Sequence, residues 1–340
     1  MKTLPVLTLS LGLAVATVSG VPLLLTAQDG NAGKQTESAS QPAPIKDDAS
    51  KLPSSGKTSG KPASPLRRNE KSAATALVTM EAAREKLVGY RSVKAKIVES
   101  VTLGDRKFRM SGTYLQGTDL KLRLEYDVEV GSTKAKLIEV CDGQILWTHH
   151  MVGKEQRITR RNVRQILTAA GAAGATPQNL LTAELGLGGL PSLMASIQKS
   201  LKLERQWEQD VGQHEFIVVE GGWKQAFREK FLGPGAPDDQ ALPPFVPDRV
   251  RLYFDKESLF PRRILYLKQD GAKVHHPMVA LDLIEVEWNG PVDEKAFAYT
   301  PPENVPHEDS TRAYISQFEK PAAGQTPAGA APPGSTPATP

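Results

Sequence analysis

Asp119-Leu120-Lys121-Leu122-Arg123-Leu124-Glu125-Tyr126-Asp127-Val128-Glu129-Val130 is the stretch that decides the fold. Every second residue from Leu120 to Val130 is apolar, and every residue between them is charged. An extended chain puts alternate side chains on opposite faces, so this period of two reads as a half-buried strand. At about 3.3 Å per residue the run spans roughly 40 Å, longer than an ordinary strand, which implies a large, curved sheet.

The pattern continues on both sides. Upstream, Phe108, Met110, Gly112 and Tyr114 alternate with Lys107, Arg109, Ser111 and Thr113. Before the turn signal Gly104-Asp105, Val93, Ala95, Ile97, Val101 and Leu103 alternate with Lys94, Lys96, Ser100 and Thr102, which predicts a hairpin. Earlier still, Ala73, Ala76, Leu77, Met80, Ala83 and Leu87 recur at three- and four-residue steps, predicting an amphipathic helix over 73–88 that Gly89 ends and the sheet buries. Downstream, strands are predicted over 134–141, 145–151 and 155–159, with Asp142-Gly143 in a turn. Helical periodicity begins near Arg161 and returns over 178–185 and, after Pro191, over 193–201, giving helices that cover the sheet. Strands resume at 202–209 and 214–220, a short helix follows at 223–231, and a Pro- and Gly-rich loop runs from Gly233 to Pro247. The last strands, 249–254, 262–269 and 278–288, read as antiparallel because their connections are short. The predicted class is α+β: a large curved antiparallel β-sheet, a half-open barrel, covered by a few helices.

The two ends read differently. Met1-Lys2-Thr3-Leu4 opens an apolar, charge-free stretch reaching Ala27, the pattern of a secretory signal, with Gly20 and Ala27 both small enough to precede the cut and Ala27 preferred. Residues 28–71 are Gly, Ser, Pro, Lys, Gln and Asp with almost nothing to bury, and 319–340 are rich in Pro, Ala, Gly and Thr, so both are expected to be disordered. That leaves 72–318 as one domain with a core of its own. Export to the periplasm or beyond is the expected localisation. The single cysteine, Cys141, lies far from the signal segment, so the chain is not expected to carry a lipid itself. One cysteine also excludes an internal disulfide framework, and Cys141 reads as a buried small hydrophobe.

No catalytic residue, metal or cofactor is expected. GxSxG, HExxH, GxxxxGK[ST] and GxGxxG are all absent. His149-His150 and His275-His276 fall in predicted strands, where neighbours point to opposite faces, so neither pair chelates one ion. Glu125, Asp127 and Glu129 share one outward face as a solvated stripe, although a glycosidase pair facing across a cleft stays open on sequence alone. The net charge of +4, partly in the linker, gives no basic stripe for nucleic acid.

Several phrases resemble those of the LolA-like, outer-membrane lipoprotein-sorting family. Ser111-Gly112-Thr113-Tyr114 followed by Leu122-Arg123-Leu124-Glu125-Tyr126 looks like that family's "G-x-f" strand leading into its "f-R-x-e-Y" strand. Asp142-Gly143-Gln144-Ile145-Leu146-Trp147 looks like its "d-G-x-x-l-w" hairpin. Phe260-Pro261-Arg262-Arg263-Ile264 and Phe297-Ala298-Tyr299-Thr300-Pro301-Pro302 resemble its "P-x-x-i" strand and its closing "F-x-f-x-P-P". The likeness spans about Ala76 to Thr311; the long linker, the 233–247 loop and the tail depart from it. It implies a half-open barrel lidded by helices that carries lipoprotein acyl chains or lipid, and a role for Arg123 in controlling the cavity. The candidate lining is Phe108, Met110, Tyr114, Leu120, Leu122, Leu124, Tyr126 and Val128. The same residues would equally make a dry core against the helices, and Arg123 equally a solvated arginine on the charged face. Expected partners are lipid or lipoprotein acyl chains, with an envelope protein as the alternative in a module that binds and reports without transport. The chain is expected to be a monomer.

Overall fold

Lys121 to Val130 form the ninth strand along a 13-stranded sheet in a computed structural model that describes residues 68–319 apart from 105, 131–132 and 175. The signal segment, most of the linker and the tail expected at 319–340 lie outside the described residues, except Arg68–Ser72 and Glu319. In chain order the elements are β1 (Arg68–Ser72), α1 (Ala73–Gly89), β2 (Val93–Leu103), β3 (Arg106–Gln116), β4 (Lys121–Val130), β5 (Thr133–Asp142), β6 (Ile145–Val152) and β7 (Glu155–Asn162). Three helices follow, α2 (Val163–Ala172), α3 (Pro177–Glu184) and α4 (Gly189–Ser200), then β8 (Leu201–Val211), β9 (His214–Trp223) and α5 (Gln225–Leu232). The chain closes with β10 (Arg249–Asp255), β11 (Pro261–Gln269), β12 (His275–Trp288), a 3₁₀ turn (Glu294–Phe297), β13 (His307–Asp309) and α6 (Thr311–Ile315).

The sheet order is β1-β8-β9-β10-β11-β12-β2-β3-β4-β5-β6-β7-β13. Two antiparallel meanders, β2 to β7 and β8 to β12, join where β12 pairs with β2, Leu281 opposite Glu99. All pairs are antiparallel except β13 on β7. Edges β1 and β13 do not meet, so the sheet is open rather than closed into a barrel.

Helices α1 and α4 cover one face, here called inner. Ala76, Met80, Ala83 and Leu87 of α1 and Leu190, Leu193, Met194 and Ile197 of α4 are buried against the apolar side chains of both meanders. Burying a Met or Leu side chain contributes roughly 1.5–3 kcal/mol, so this contact holds the helices on the sheet far more firmly than their surface charges do. Helix α2 is capped by Asn162, whose side chain accepts from the Gln165 N–H at 3.0 Å, and α3 by Thr176 with Pro177 in its first turn.

Two expectations change, and one strand carries an irregularity. β4 starts at Lys121, because Asp119 and Leu120 have φ of 56° and 66° and form a turn. α4 begins at Gly189, with Pro191 inside its first turn, where a missing N–H costs nothing. In β8 a bulge between Leu203 and Arg205 reverses the alternation, so Leu203 faces inward while Arg205 and Trp207 face outward. There Glu220, 1% exposed, takes ion pairs from Arg205 at 2.8 Å and Arg251 at 2.6 Å. Burial raises its carboxyl, but Arg205 and Arg251 outweigh that and hold it below the ordinary range.

Candidate functional site

The register places the expected lining on one continuous patch. Across β3 and β4, Met110 faces Val128, Gly112 faces Tyr126, Tyr114 faces Leu124 and Gln116 faces Leu122. Met110, Tyr114, Leu122, Leu124 and Tyr126 are buried, and Phe108 and Val128 are half-buried against the same cluster. Leu120, in the turn, packs with Leu122 on a smaller cluster formed with Cys141, Leu146, Val163 and Leu187. Arg123 lies on the opposite face, where it donates to Glu125 at 2.7 Å and to the Ala296 carbonyl at 3.1 Å and so ties β4 to the 3₁₀ turn.

Polar groups punctuate the apolar face at fixed points. The Tyr114 hydroxyl donates to Gln116 Oε1 at 2.7 Å, and Gln116 Nε2 donates to the Leu87 carbonyl at 2.7 Å, fastening β3 to the end of α1. Glu139 of β5 accepts from Thr148 Oγ1 at 3.3 Å and from the Gly189 N–H at 3.1 Å, so a buried carboxylate serves the N-terminus of α4. Glu99 of β2, 1% exposed, accepts from the Tyr126 hydroxyl across β3. Burial pushes the Glu99 carboxyl well above its ordinary value. Burial also raises the hydroxyl of half-buried Tyr266.

These acids are what the sequence reading missed. The signal was present: Glu99 falls between Ile97 and Val101, and Glu139 between Leu137 and Cys141, at positions whose neighbours two residues away are apolar. A charge at such a position breaks the period.

Of two cavities, one borders the site. A small one of about 50 Å³ lies at the lip between β3, β4 and α4, lined by Tyr114, Gln116, Leu120, Leu122, Leu187 and Pro191. A hollow of about 930 Å³ lies elsewhere, between α5, the 233–247 loop and the ends of β8 to β11, with charged walls that include Lys202, Glu204, Arg249 and Asp270. Its size does not make it the apolar site, because its walls are polar. Lys268 pins the loop by donating to the carbonyls of Leu242, Pro243 and Val246 at 2.9–3.1 Å.

The histidine pairs split as adjacent strand residues do. His149 Nδ1 meets the Tyr299 hydroxyl at 2.9 Å on one face, while His150 faces Leu137 on the other. Burial, then the nearby Arg157 and His149 charges, brings the His150 imidazole down to about 4. Among the described residues no three His, Cys, Asp or Glu side chains are grouped to hold a metal, and no helix is long and apolar enough to cross a membrane. Cys141 is buried, which pushes its thiol up to about 12.

Fold and face together define a class: an open, mostly antiparallel curved sheet that buries one apolar face under helices. No family model and no curated protein matches the sequence. Among solved structures, the chain is similar to an outer membrane lipoprotein-sorting protein domain from Vibrio parahaemolyticus (9% identity over 66% of this chain and 97% of that one, TM-score 0.28). It is similar to a LolA superfamily protein from Nitrosomonas europaea (10% identity, 65% and 97% covered, TM-score 0.26). It is also similar to MucB of Pseudomonas aeruginosa in its complex with MucA (13% identity, 67% and 61% covered, TM-score 0.31).

Proposed function

We propose that this chain is an exported, non-enzymatic envelope protein that binds the acyl chains of a lipid or lipoprotein against the inner face of its sheet, beneath α1 and α4. The observation that carries the reading is the face itself: an apolar surface continuous from β10 through β12 and β2 to β4, closed by two helices and incompletely covered at Phe108, Val128 and Tyr266. Phe108, Met110, Tyr114, Leu120, Leu122, Leu124, Tyr126 and Val128 are the proposed contacts. The apolar stretch ending at Ala27 supports export.

Magnitudes make the exchange feasible. Lifting the five buried Met and Leu side chains of α1 and α4 off the sheet costs roughly 8–15 kcal/mol. A sixteen-carbon chain laid in their place gains on the order of 12 kcal/mol before ordering costs. The two terms are close, as a carrier that loads and unloads requires. Arg123, bonded to Glu125 and Ala296, acts on such a cavity only through the position of β4 and the 3₁₀ turn.

Native mass spectrometry of the protein purified from its own envelope tests the reading: co-purifying lipid or lipoprotein is expected, and a consistently empty chain argues against it. Leu122→Glu and Leu124→Glu are expected to abolish acyl uptake while leaving the circular dichroism of the sheet in place. Global unfolding of both variants would identify the pair as ordinary core.

A second reading, an interaction module on the same scaffold, rests on the outward side of α1. Leu77 and Val78 there are 41% and 64% exposed. Alanine at these two positions separates the readings, since an acyl carrier keeps its uptake.

A further inference from the structure

Two carboxyl side chains lie buried on the inner face, and they differ in how they are satisfied. Glu139 has both oxygens engaged, by Thr148 and by the α4 N-terminus. Glu99 has one oxygen, Oε2, engaged by the Tyr126 hydroxyl, while Oε1 is buried with no hydrogen-bond partner among the described residues. Its strand neighbours on the same face are Met110 on β3 and Leu281 on β12, both apolar. Phe108, Val128 and Tyr266, three of the half-covered residues packed on the face, belong to the same apolar cluster. The arrangement is built: Tyr126 reaches Glu99 over Gly112, where a Cβ would stand 2.8 Å from the Tyr126 ring.

We propose that Glu99, oriented by Tyr126, is the polar recognition point of the inner face and donates a hydrogen bond to the ester carbonyl of an acyl lipid whose chain lies along that face. This rests on the acyl-binding reading and adds to it a ligand chemistry. Burial disfavours the charged form of the Glu99 carboxyl and raises it well above its ordinary value, which favours the protonated acid. With Tyr126 donating to Oε2, the proton resides on Oε1, the atom that lacks a partner. A buried donor left unmade carries the desolvation cost of its group, and a carbonyl oxygen arriving with the ligand removes that cost. An ester carbonyl accepts and has nothing to donate, which suits an acid better than an anion. The expected discrimination against a chain without the carbonyl is about tenfold, the ordinary yield of one hydrogen bond.

The test uses the full chain, after export, and two vesicle preparations: phosphatidylglycerol with sixteen-carbon ester chains, and its dialkyl ether analogue of equal length. Lipid remaining with the protein after the vesicles are sedimented is measured. The protein is expected to take up the ester lipid about tenfold better than the ether. Glu99→Gln, whose amide N–H also donates, keeps the preference, and Glu99→Leu binds both lipids at the ether level. Equal uptake of the two lipids by the unaltered protein overturns the assignment while leaving an acyl carrier. Retention of the preference in a folded Glu99→Leu overturns it as well. Uptake of neither lipid removes both this assignment and the acyl-binding reading. The ester and ether comparison on the unaltered protein decides even where a variant does not fold.

Discussion

Gly112 is where the face depends on an absent side chain. A Cβ there would stand 2.3 Å from the Glu125 carbonyl oxygen and 2.8 Å from the Tyr126 ring, and the first of these is backbone that cannot swing aside. Gly112→Ala is therefore expected to destabilise the protein by about 1–3 kcal/mol, the usual cost of overpacking, read as a lower urea midpoint at unchanged slope. An unchanged midpoint would mean that Tyr126 does not lie over Gly112. Glu99 makes a second prediction, through pH. Its folded pKa is raised above the ordinary 4.5, so above that pH the unfolded chain releases a proton that the folded chain keeps. The folded state then binds more protons, and stability falls as pH rises from about 4.5 toward the folded value. Glu99→Gln keeps the acceptor for Tyr126 and cannot ionise. Its stability advantage over the unaltered protein is expected to grow with pH, measured by urea midpoints from pH 5 to 8; parallel curves would sink the idea. His150 works in the other direction: held down to about 4, chiefly by burial, it adds stability that is present above 6.5 and lost as pH falls from 6.5 to about 4. Both proteins share that contribution, so it leaves the difference unaltered.

At the scale of elements, α4 is the clearest case of a helix set by the sheet rather than by its own sequence. Its N-cap is Gly188, φ 77°, with no side-chain cap, and the first turn is served by Glu139 from β5. Glu139→Ala is expected to cost about 0.5–2 kcal/mol, as the loss of a cap does, and to speed amide exchange in the first turn of α4 while β2 and β3 stay protected. Uniform deprotection would place Glu139 in the global core instead. The same helix shows what sequence reveals. Strands β2 to β7 and the α1 helix are legible because one face is buried and the period survives, as from Lys121 to Val128. The first four residues of α4 were not, because Pro191 reads as a break and the group that caps Gly189 lies fifty residues away. β1 and β13 were missed for a related reason: Arg-Asn-Glu-Lys-Ser and His-Glu-Asp carry no apolar alternation, and each is a strand only by pairing, with β8 and with β7. Of the site, the apolar residues were legible and Glu99 was not weighed, although it stood at an apolar position. Whether such a face meets a lipid or a helix is not encoded in its period, since both present the same solvent-free surface.

For the whole molecule, the seam between β12 and β2 makes the inner face one surface out of two meanders, so occupancy of that surface must be felt across both. A ligand that binds the folded chain and not the unfolded one stabilises it by about 2.7 kcal/mol at a hundredfold excess over Kd. A domain of this size gains about 2–4 °C per kcal/mol, so the thermal midpoint should rise by roughly 5–11 °C. A rise alone does not locate the ligand, because the charged hollow beside α5 is much the larger cavity. Hydrogen exchange does. A sixteen-carbon acyl lipid seated on the inner face displaces α1 and α4 from Tyr114, Leu124 and their neighbours, so exchange should change in those two helices and in β2 to β4. A ligand in the hollow should instead protect α5 and the 233–247 loop that Lys268 pins. A midpoint shift accompanied by protection confined to α5 and that loop would move the binding function from the apolar face to the polar hollow. The eight residues of β3, β4 and the turn before β4 would then be the dry core that their burial equally allows.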